Sequence, residues 1–216
     1  QVSPVWDLTG VTQEITSEAT SQSQIGAVFS LVKNWVAGTI NADIGGGQYD
    51  NATKYLADRG VTNHVYDPYA RPEGLEEVVE KIHGGQADTA TLSNVLNVIK
   101  EKGARRRVLQ QANDAVKPDG LIYITVHREV ADFVTPDGET WKTKKSAVAA
   151  GYDPAEVVRG PDLEAGPTTK GFQRHAPLRD YLPEIEEVLE VVSDTASLIV
   201  AKPRKVAALA SGITVE

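Results

Sequence analysis

The stretch Asp43-Ile44-Gly45-Gly46-Gly47 joins a short apolar segment to a pattern typical of a helix. Glycine has no Cβ, so a ligand can approach the backbone of such a turn closely. In open α/β sheets, turns of this kind lie at the carboxyl ends of the strands, which is where ligands bind. The stretch therefore predicts a strand–turn–helix unit with a binding site beside it.

Helical and extended patterns alternate on both sides of this turn. The predicted strands are 39–44, 61–66, 88–92, 121–126, 189–193 and 197–201. The predicted helices are 25–36, a segment between Asp50 and Gly60, 75–82, 104–116 and 178–188. This alternation is typical of a doubly wound α/β fold with a mostly parallel sheet. A tight turn joins the last two strands, so they predict an antiparallel hairpin at the C-terminal edge of a Rossmann-like sheet.

Shifts in composition divide the chain into three parts. Residues 1–20 are polar and predict an N-terminal arm, residues 21–202 form the predicted domain, and residues 203–216 form a tail. Within the domain, residues 128–177 interrupt the alternation and are rich in glycine and proline. Such a segment is too long for a plain connection, so we expect a functional insertion or lid.

The composition excludes several classes of function. The chain has 216 residues, no cysteine and a formal net charge of −8. Without cysteine there is no disulfide, thiolate metal site or cysteine nucleophile, and we expect no metal site. The acidic balance argues against a protein that coats nucleic acid, although it allows a local basic patch. No apolar run approaches the ~20 residues of a membrane span and no leader opens the chain, so we expect a cytoplasmic protein.

Acidic residues around the turn indicate what it binds. Asp67 ends the second predicted strand, about 20 residues after the turn, where a carboxylate accepts hydrogen bonds from a ribose diol. Asp43 precedes the glycines and suits a ligand with an ammonium or sulfonium group. Asp50 takes the place of the last glycine of a dinucleotide fingerprint and would repel a pyrophosphate. These residues favour S-adenosylmethionine over NAD.

With these residues in place, the chain resembles the class I S-adenosylmethionine-dependent methyltransferases. Asp43–Gly47 is similar to their first motif, and Val65-Tyr66-Asp67-Pro68 is similar to their ribose-binding strand end. The segments 87–96 and 116–122 are similar to their fourth and fifth strands with the usual flanks. The resemblance implies that the chain binds S-adenosylmethionine and transfers its methyl group.

A narrower resemblance is to the methyltransferases associated with DNA phosphorothioation. It rests on three runs: Tyr66-Asp67-Pro68-Tyr69, the segment 93–99, and Gly171-Phe172-Gln173-Arg174 followed by 178–182. This resemblance implies a setting in DNA modification, with nucleic acid or a DNA-modification intermediate as acceptor.

One departure from the class I pattern concerns the third strand. Only about 20 residues separate Asp67 from Asp88, and one short helical pattern fills them, so we expect this strand to be reduced or missing. The usual adenine contacts are then lost, and Pro68, Tyr69, Ser93 and Asn94 are the expected substitutes. The complete predicted cofactor site is Asp43, Gly45, Gly46, Gly47, Asp67, Pro68, Tyr69, Ser93 and Asn94.

The residues available for chemistry are few. Asn94 is not followed by the prolines of amino-methylating DNA enzymes, and methylation at cytosine carbon 5 needs the absent cysteine. The predicted catalytic residues are Asn94, His127, Gln173 and Arg174. Among these, His127 is the candidate base because histidine titrates near neutral pH. Gln173 and Arg174 bind an acceptor or merely cap the following helix.

A basic run in the insertion is the candidate contact for nucleic acid. Trp141, Lys142, Lys144 and Lys145 could stack a base and neutralise phosphates, or form a solvated hairpin. Two other functions also stay open at this point. One is a nucleoside-binding or inactive methyltransferase-like module that acts through partners, and the other is an NAD-dependent oxidoreductase.

Overall fold

The computed structural model describes residues 1–16, 25–127, 132–160, 166–168 and 171–205. Four of its strands come first in the chain and run parallel to one another. They are β1 (Ile40–Ile44), β2 (Thr62–Tyr66), β3 (Ala87–Ser93) and β4 (Val116–Thr125). Five short strands follow: β5 (Phe133–Val134), β6 (Thr140–Trp141), β7 (Val158–Arg159), β8 (Gly166–Thr168) and β9 (Gly171–Gln173). The last two are β10 (Leu189–Asp194) and β11 (Ile199–Pro203).

The main sheet has six strands in the order β10-β11-β4-β3-β1-β2. The pair β10 and β11 is antiparallel, and β11 also runs antiparallel to β4. The predicted Rossmann-like sheet with its C-terminal antiparallel hairpin is therefore confirmed. In the described chain β2 lies at the edge, and a single helix connects it to β3, so the expected loss of the third strand is confirmed as well.

Helices cover both faces of this sheet. They are α1 (Ala27–Leu31), α2 (Asn51–Ala57), α3 (Leu75–Ile82), α4 (Lys102–Ala115) and α6 (Leu182–Glu186), whereas α5 (Lys144–Ala149) lies in the insertion. The larger core contains buried residues of α3, α4 and α6 together with Trp6. The smaller core contains Val28 and Phe29 of α1 and Leu56 of α2 on the other face. Each fully buried leucine in these cores contributes about 2 kcal/mol of hydrophobic stabilisation.

The first helix is shorter than its apolar stripe predicts. The pattern predicted a helix over 25–36, but α1 ends at Leu31 and Val32 is extended. The Trp35 indole Nε1–H donates to the Phe29 carbonyl at 2.9 Å, and the two rings stack. The apolar residues Val32 and Trp35 still pack on the core, but through a non-helical segment in place of about one and a half further helical turns.

The described part of the insertion forms two small sheets. One has the strand order β6-β5-β7, with α5 beside it, and the other pairs β8 with β9. Three-ten turns at Pro4–Trp6, Leu96–Val98 and Leu178–Tyr181 complete the secondary structure. Within the residues that the structure describes, no helix has the length and apolar character to cross a membrane.

Candidate functional site

The glycine turn follows β1 and depends on glycine at each position. Gly45 and Gly47 have φ of +76° and +78°, a conformation that residues with a Cβ rarely adopt. A Cβ on Gly46 would meet the Asp43 carboxylate at 2.5 Å and Val65 at 2.7 Å. The turn therefore brings the backbone close to Asp43.

Asp67 holds this turn in place. Its carboxylate accepts hydrogen bonds from the backbone N–H of Gly47 at 2.9 Å, of Tyr69 at 3.1 Å and of Ala70 at 3.0 Å. The residue is 7% exposed. A carboxylate has about four acceptor positions, so one is left for a ligand. Asp67 thus joins the glycine turn to the end of β2, in addition to its predicted contact with a ribose.

Arg71 is a second clamp on the turn, and sequence reasoning missed it. Its Nε donates to the Gly47 carbonyl at 2.7 Å, and its Nη2 donates to the Tyr49 carbonyl at 3.0 Å. The same nitrogen pairs with the Asp50 carboxylate at 2.8 Å. Because Arg71 partly neutralises Asp50, that residue repels an anionic ligand less than its position in the sequence suggests.

Asp43 is the buried charge of the site. It is 1% exposed and accepts a hydrogen bond from the Thr91 hydroxyl at 2.9 Å. Burial raises the pKa of Asp43 to about 6, against an ordinary value of 3.8, and the nearby Asp67 adds to this effect. Burial disfavours the ionised form of the Asp43 carboxylate, and a positively charged ligand group beside it would favour that form. The site therefore suits a ligand with a cationic group.

A cavity of about 310 Å³ lies over the glycine turn and the carboxyl ends of β1 to β3. The structure places all nine predicted cofactor residues along its wall: Asp43, Gly45, Gly46, Gly47, Asp67, Pro68, Tyr69, Ser93 and Asn94. The cavity spans both faces of the sheet. Phe29 and Ala52 line it on the α1 and α2 side, whereas Ala104 and Val108 line it on the α4 side.

Three of the four predicted catalytic residues also line the cavity. Asn94 has a φ of +58°, which is strained for a residue with a Cβ, and its backbone N–H donates to the Thr125 carbonyl at 3.0 Å. His127 follows β4, and its ring centre lies 6.2 Å from that of His175. Gln173 lies in β9, and its buried Nε2 has no hydrogen-bond partner. The roles of these residues stay predictions.

Arg174 is placed differently. Its side chain lies outside the cavity wall, in a groove between α4 and α6. The guanidinium pairs with Asp180 at 3.5 Å and lies over the Tyr181 ring at 5.1 Å. Its backbone N–H donates to the Asn97 carbonyl at 2.8 Å. The position of Arg174 therefore favours a structural role over the predicted catalytic one.

The N-terminal segment supplies cavity residues that the sequence did not single out. Leu8, Val11 and Gln13 line the cavity beside α4. Two buried amides line it as well: the side-chain oxygens Oδ1 of Asn97 and Oε1 of Gln111 have no hydrogen-bond partner, and each residue is 1% exposed. Asn97 belongs to the segment 93–99 of the narrower resemblance, whereas no repeat or motif marks the other four residues, because chain segments distant in sequence bring them together.

The basic run of the insertion lies away from this cavity. No residue of the described segment 132–160 lines it. Lys142 pairs with Asp132 at 3.1 Å, whereas Lys144 and Lys145 are exposed in α5. The Trp141 ring packs edge-on against Tyr152 at 6.3 Å, and its buried Nε1 has no partner. This packing engages the ring that was predicted to stack on a base.

Comparison with known proteins relates part of this chain to a methyltransferase family. Residues 42–147 match the family described as Methyltransferase domain. This segment runs from β1 into the insertion and includes the glycine turn and Asp67. No curated protein matches the chain by sequence.

Solved structures match about four fifths of the chain. An S-adenosylmethionine-dependent methyltransferase from Mesorhizobium loti is 12% identical over 80% of this chain and 94% of its own, with a TM-score of 0.50. A protein from Listeria monocytogenes described as a methyltransferase of the same kind is 10% identical over 82% and 95%, also with a TM-score of 0.50. A Burkholderia thailandensis N1-methyltransferase with bound S-adenosylhomocysteine is 13% identical over 78% and 72%, with a TM-score of 0.49. The chain has the Rossmann-like fold of such methyltransferases, and the family match supports S-adenosylmethionine as its cofactor.

Proposed function

We propose that this chain is an S-adenosylmethionine-dependent methyltransferase. The observation that supports it best is the set of predicted cofactor residues around one cavity, with the glycine turn joined to Asp67 and the buried Asp43 beside it. The unpartnered carbonyl oxygens of Asn97 and Gln111 fit a ligand that donates hydrogen bonds. The cavity wall combines apolar residues, two carboxylates and two amides, and this combination suits a nucleoside with a cationic end.

The residues divide the work of holding such a ligand. Asp43 faces the cationic end, and Asp67 has one acceptor position for a ribose hydroxyl. When bound, S-adenosylmethionine would supply a methyl group on a positively charged sulfur. That sulfur would keep the electron pair of the broken carbon–sulfur bond and become the uncharged sulfur of S-adenosylhomocysteine, the leaving group. The cavity wall orients an acceptor for in-line attack, and such positioning supplies much of the rate.

His127 is the proposed base for the acceptor. The acceptor atom forms its bond to carbon with a lone pair and must then lose a proton if it carried one. His127 lines the cavity, and its imidazole has a nitrogen that can accept a proton, so it can take that proton. Asn94 and Gln173 are the proposed polar anchors of the acceptor.

The acceptor itself is proposed as nucleic acid or a DNA-modification intermediate. The resemblance to the methyltransferases associated with DNA phosphorothioation supports this class, and so do the exposed lysines of α5. A metabolite acceptor is the alternative that the experiment must separate. Transfer of a radiolabelled methyl group to DNA, RNA, protein and metabolite fractions tests both, and turnover confined to metabolites would contradict the nucleic-acid proposal.

A binding measurement tests the proposed cofactor independently of the acceptor. Calorimetry of the full chain with S-adenosylmethionine, S-adenosylhomocysteine and NAD is expected to show binding of the two adenosyl compounds and much weaker binding of NAD. Absence of binding of either adenosyl compound at millimolar concentration would contradict the proposal. Binding of S-adenosylmethionine without methyl transfer to any fraction would favour the nucleoside-binding module over the enzyme.

A further inference from the structure

The N-terminal segment is fixed to α4 by contacts that are far apart in sequence. Trp6 is 8% exposed, its Nε1–H donates to the Asp114 carboxylate at 2.7 Å, and its ring meets Tyr66 edge-on at 5.0 Å. The Arg107 guanidinium donates to the carbonyls of Pro4 and Asp7. The segment thus lies on the face of the sheet where α4 packs.

Together, this segment and α4 enclose one end of the cavity. Its wall there is mostly apolar, with Leu8, Val11, Ile99, Ala104 and Val108, and it also includes Gln13 and Arg107, whose guanidinium is engaged by the two carbonyls. Asp43 and the α1 side of the cavity lie on the other face. A charged ligand group would be poorly solvated against the apolar wall, so this end suits the flat, uncharged part of a ligand.

Gln111 is a buried amide of this compartment. Its Nε2 donates to the Val5 carbonyl at 2.9 Å and to the Tyr66 hydroxyl at 3.3 Å. The Val5 carbonyl can only accept a hydrogen bond, so the Gln111 nitrogen Nε2 must face it and the amide orientation is fixed. The Gln111 oxygen Oε1 is then the atom without a hydrogen-bond partner. An unpartnered buried acceptor is costly unless a ligand donates to it.

We infer that the compartment between the N-terminal segment and α4 holds the nucleobase of the cofactor, and that Gln111 selects a base with an exocyclic amino group. The inference rests on the proposed function, because it assumes a ribose at Asp67 and a cationic end at Asp43. The base then points to the apolar compartment on the α4 side. The N-terminal segment takes over the wall that the missing third strand leaves open, and Val5 sets the direction of the Gln111 oxygen.

The test compares two nucleosides that differ in one group. S-inosylhomocysteine carries an oxo group where S-adenosylhomocysteine carries the 6-amino group, so it presents an acceptor to the Gln111 acceptor. By calorimetry with the full chain, we expect wild type to bind the adenosyl compound about tenfold more tightly. We expect Gln111→Leu to bring the two affinities within about twofold of each other. Gln110→Leu, the same change one position earlier in α4 and outside the cavity wall, keeps the preference.

The ratio within each variant separates base selection from general loosening of the structure. An unchanged ratio in Gln111→Leu, or equal affinities in wild type, would overturn the inference while leaving the proposed function intact. If wild type binds neither compound, the proposed function fails and the inference fails with it.

A second measurement needs no variant. Hydrogen exchange at the backbone amides of Trp6, Asp7 and Val11 reports the opening of the N-terminal segment. We expect S-adenosylhomocysteine to slow this exchange at least tenfold, because the bound base would pack under Leu8 and Val11. Exchange that stays the same with saturating ligand would contradict a base in this compartment.

Discussion

At the scale of single residues, the buried carboxylate of Asp43 links ligand binding to pH. Its pKa of about 6 in the folded chain lies above the ordinary 3.8 of an unfolded chain. The folded state therefore holds the proton more tightly, and the stability contributed by this group is full below about pH 4 and lost as the pH rises through about 6. A cationic ligand favours the ionised form, so its affinity should change in the opposite direction.

Affinity for S-adenosylhomocysteine should therefore be constant above about pH 7 and weaken below pH 6, by up to about tenfold per pH unit. Calorimetry across pH 5 to 8 measures this, and methylthioadenosine, which lacks the ammonium group, is the control ligand with a flat profile. Asp43→Asn should flatten the profile, weaken binding, and raise the free energy of unfolding at pH 7 by about 1–3 kcal/mol. Equal pH profiles for the two ligands would show that the ammonium binds elsewhere.

Arg71 offers a second prediction at this scale. It holds the glycine turn through the carbonyls of Gly47 and Tyr49. Arg71→Ala should lower the affinity for S-adenosylhomocysteine about tenfold and the free energy of unfolding by about 1–2 kcal/mol, because charged hydrogen bonds are lost. Arg59→Ala removes the same charge from an arginine that lies over the half-buried Tyr55 ring, and it should change the affinity less than twofold. Similar losses in both variants would indicate a general effect of charge.

At the scale of elements, the N-terminal segment behaves as part of the domain. Trp6→Ala should destabilise the chain by about 3–5 kcal/mol, since it removes a buried ring between α4 and Tyr66. Trp6→Phe keeps an aromatic ring but loses the bond to Asp114, so its cost should be about 1 kcal/mol. Chemical denaturation followed by far-ultraviolet circular dichroism measures both. A cost below 1 kcal/mol for Trp6→Ala would mean that the segment is a detached arm.

The sequence predicts an element well when a local pattern of apolar residues determines it, and less well when hydrogen bonds or strand pairing alter its ends. The helix 75–82 agrees with α3 because Leu75, Val78, Val79 and Ile82 fall on one face and act locally. The first helix was predicted too long because the Trp35 indole, six residues further along the chain, donates to the Phe29 carbonyl, and an apolar pattern does not register such a side-chain hydrogen bond. The strand predicted over 121–126 begins earlier, at Val116, where its pairing with β3 shifts register around 118–120.

The residues of the candidate site also fall into those that the sequence predicts and those that it does not. The glycine turn and Asp67 are adjacent to strand ends, so spacing along the chain was enough to place them on the cavity. Gln111 and Leu8 reach the cavity only through the packing of the N-terminal segment on α4, and a single sequence carries no periodicity for such a contact. Arg174 shows that nearness in sequence is not enough, because it follows Gln173 directly and yet lies outside the cavity wall.

At the scale of the whole molecule, charge and position separate the cofactor cavity from the proposed contact with nucleic acid. The chain has a net charge of −8, so any affinity for phosphates must come from a local patch. Lys142, Lys144 and Lys145 form such a patch, and none of them lines the cavity. The two activities should therefore respond independently to substitution.

Replacing these three lysines with glutamate should leave the affinity for S-adenosylhomocysteine within about twofold and weaken retention of a DNA duplex at low salt at least tenfold, because fewer counterions are released. The matched variant changes the exposed Lys33, Lys54 and Lys81 in the same way, so it alters the net charge equally. Its retention of DNA should fall by less than threefold. Equal losses in the two variants would mean that DNA responds to net charge alone, and the insertion would then have no part in binding the acceptor.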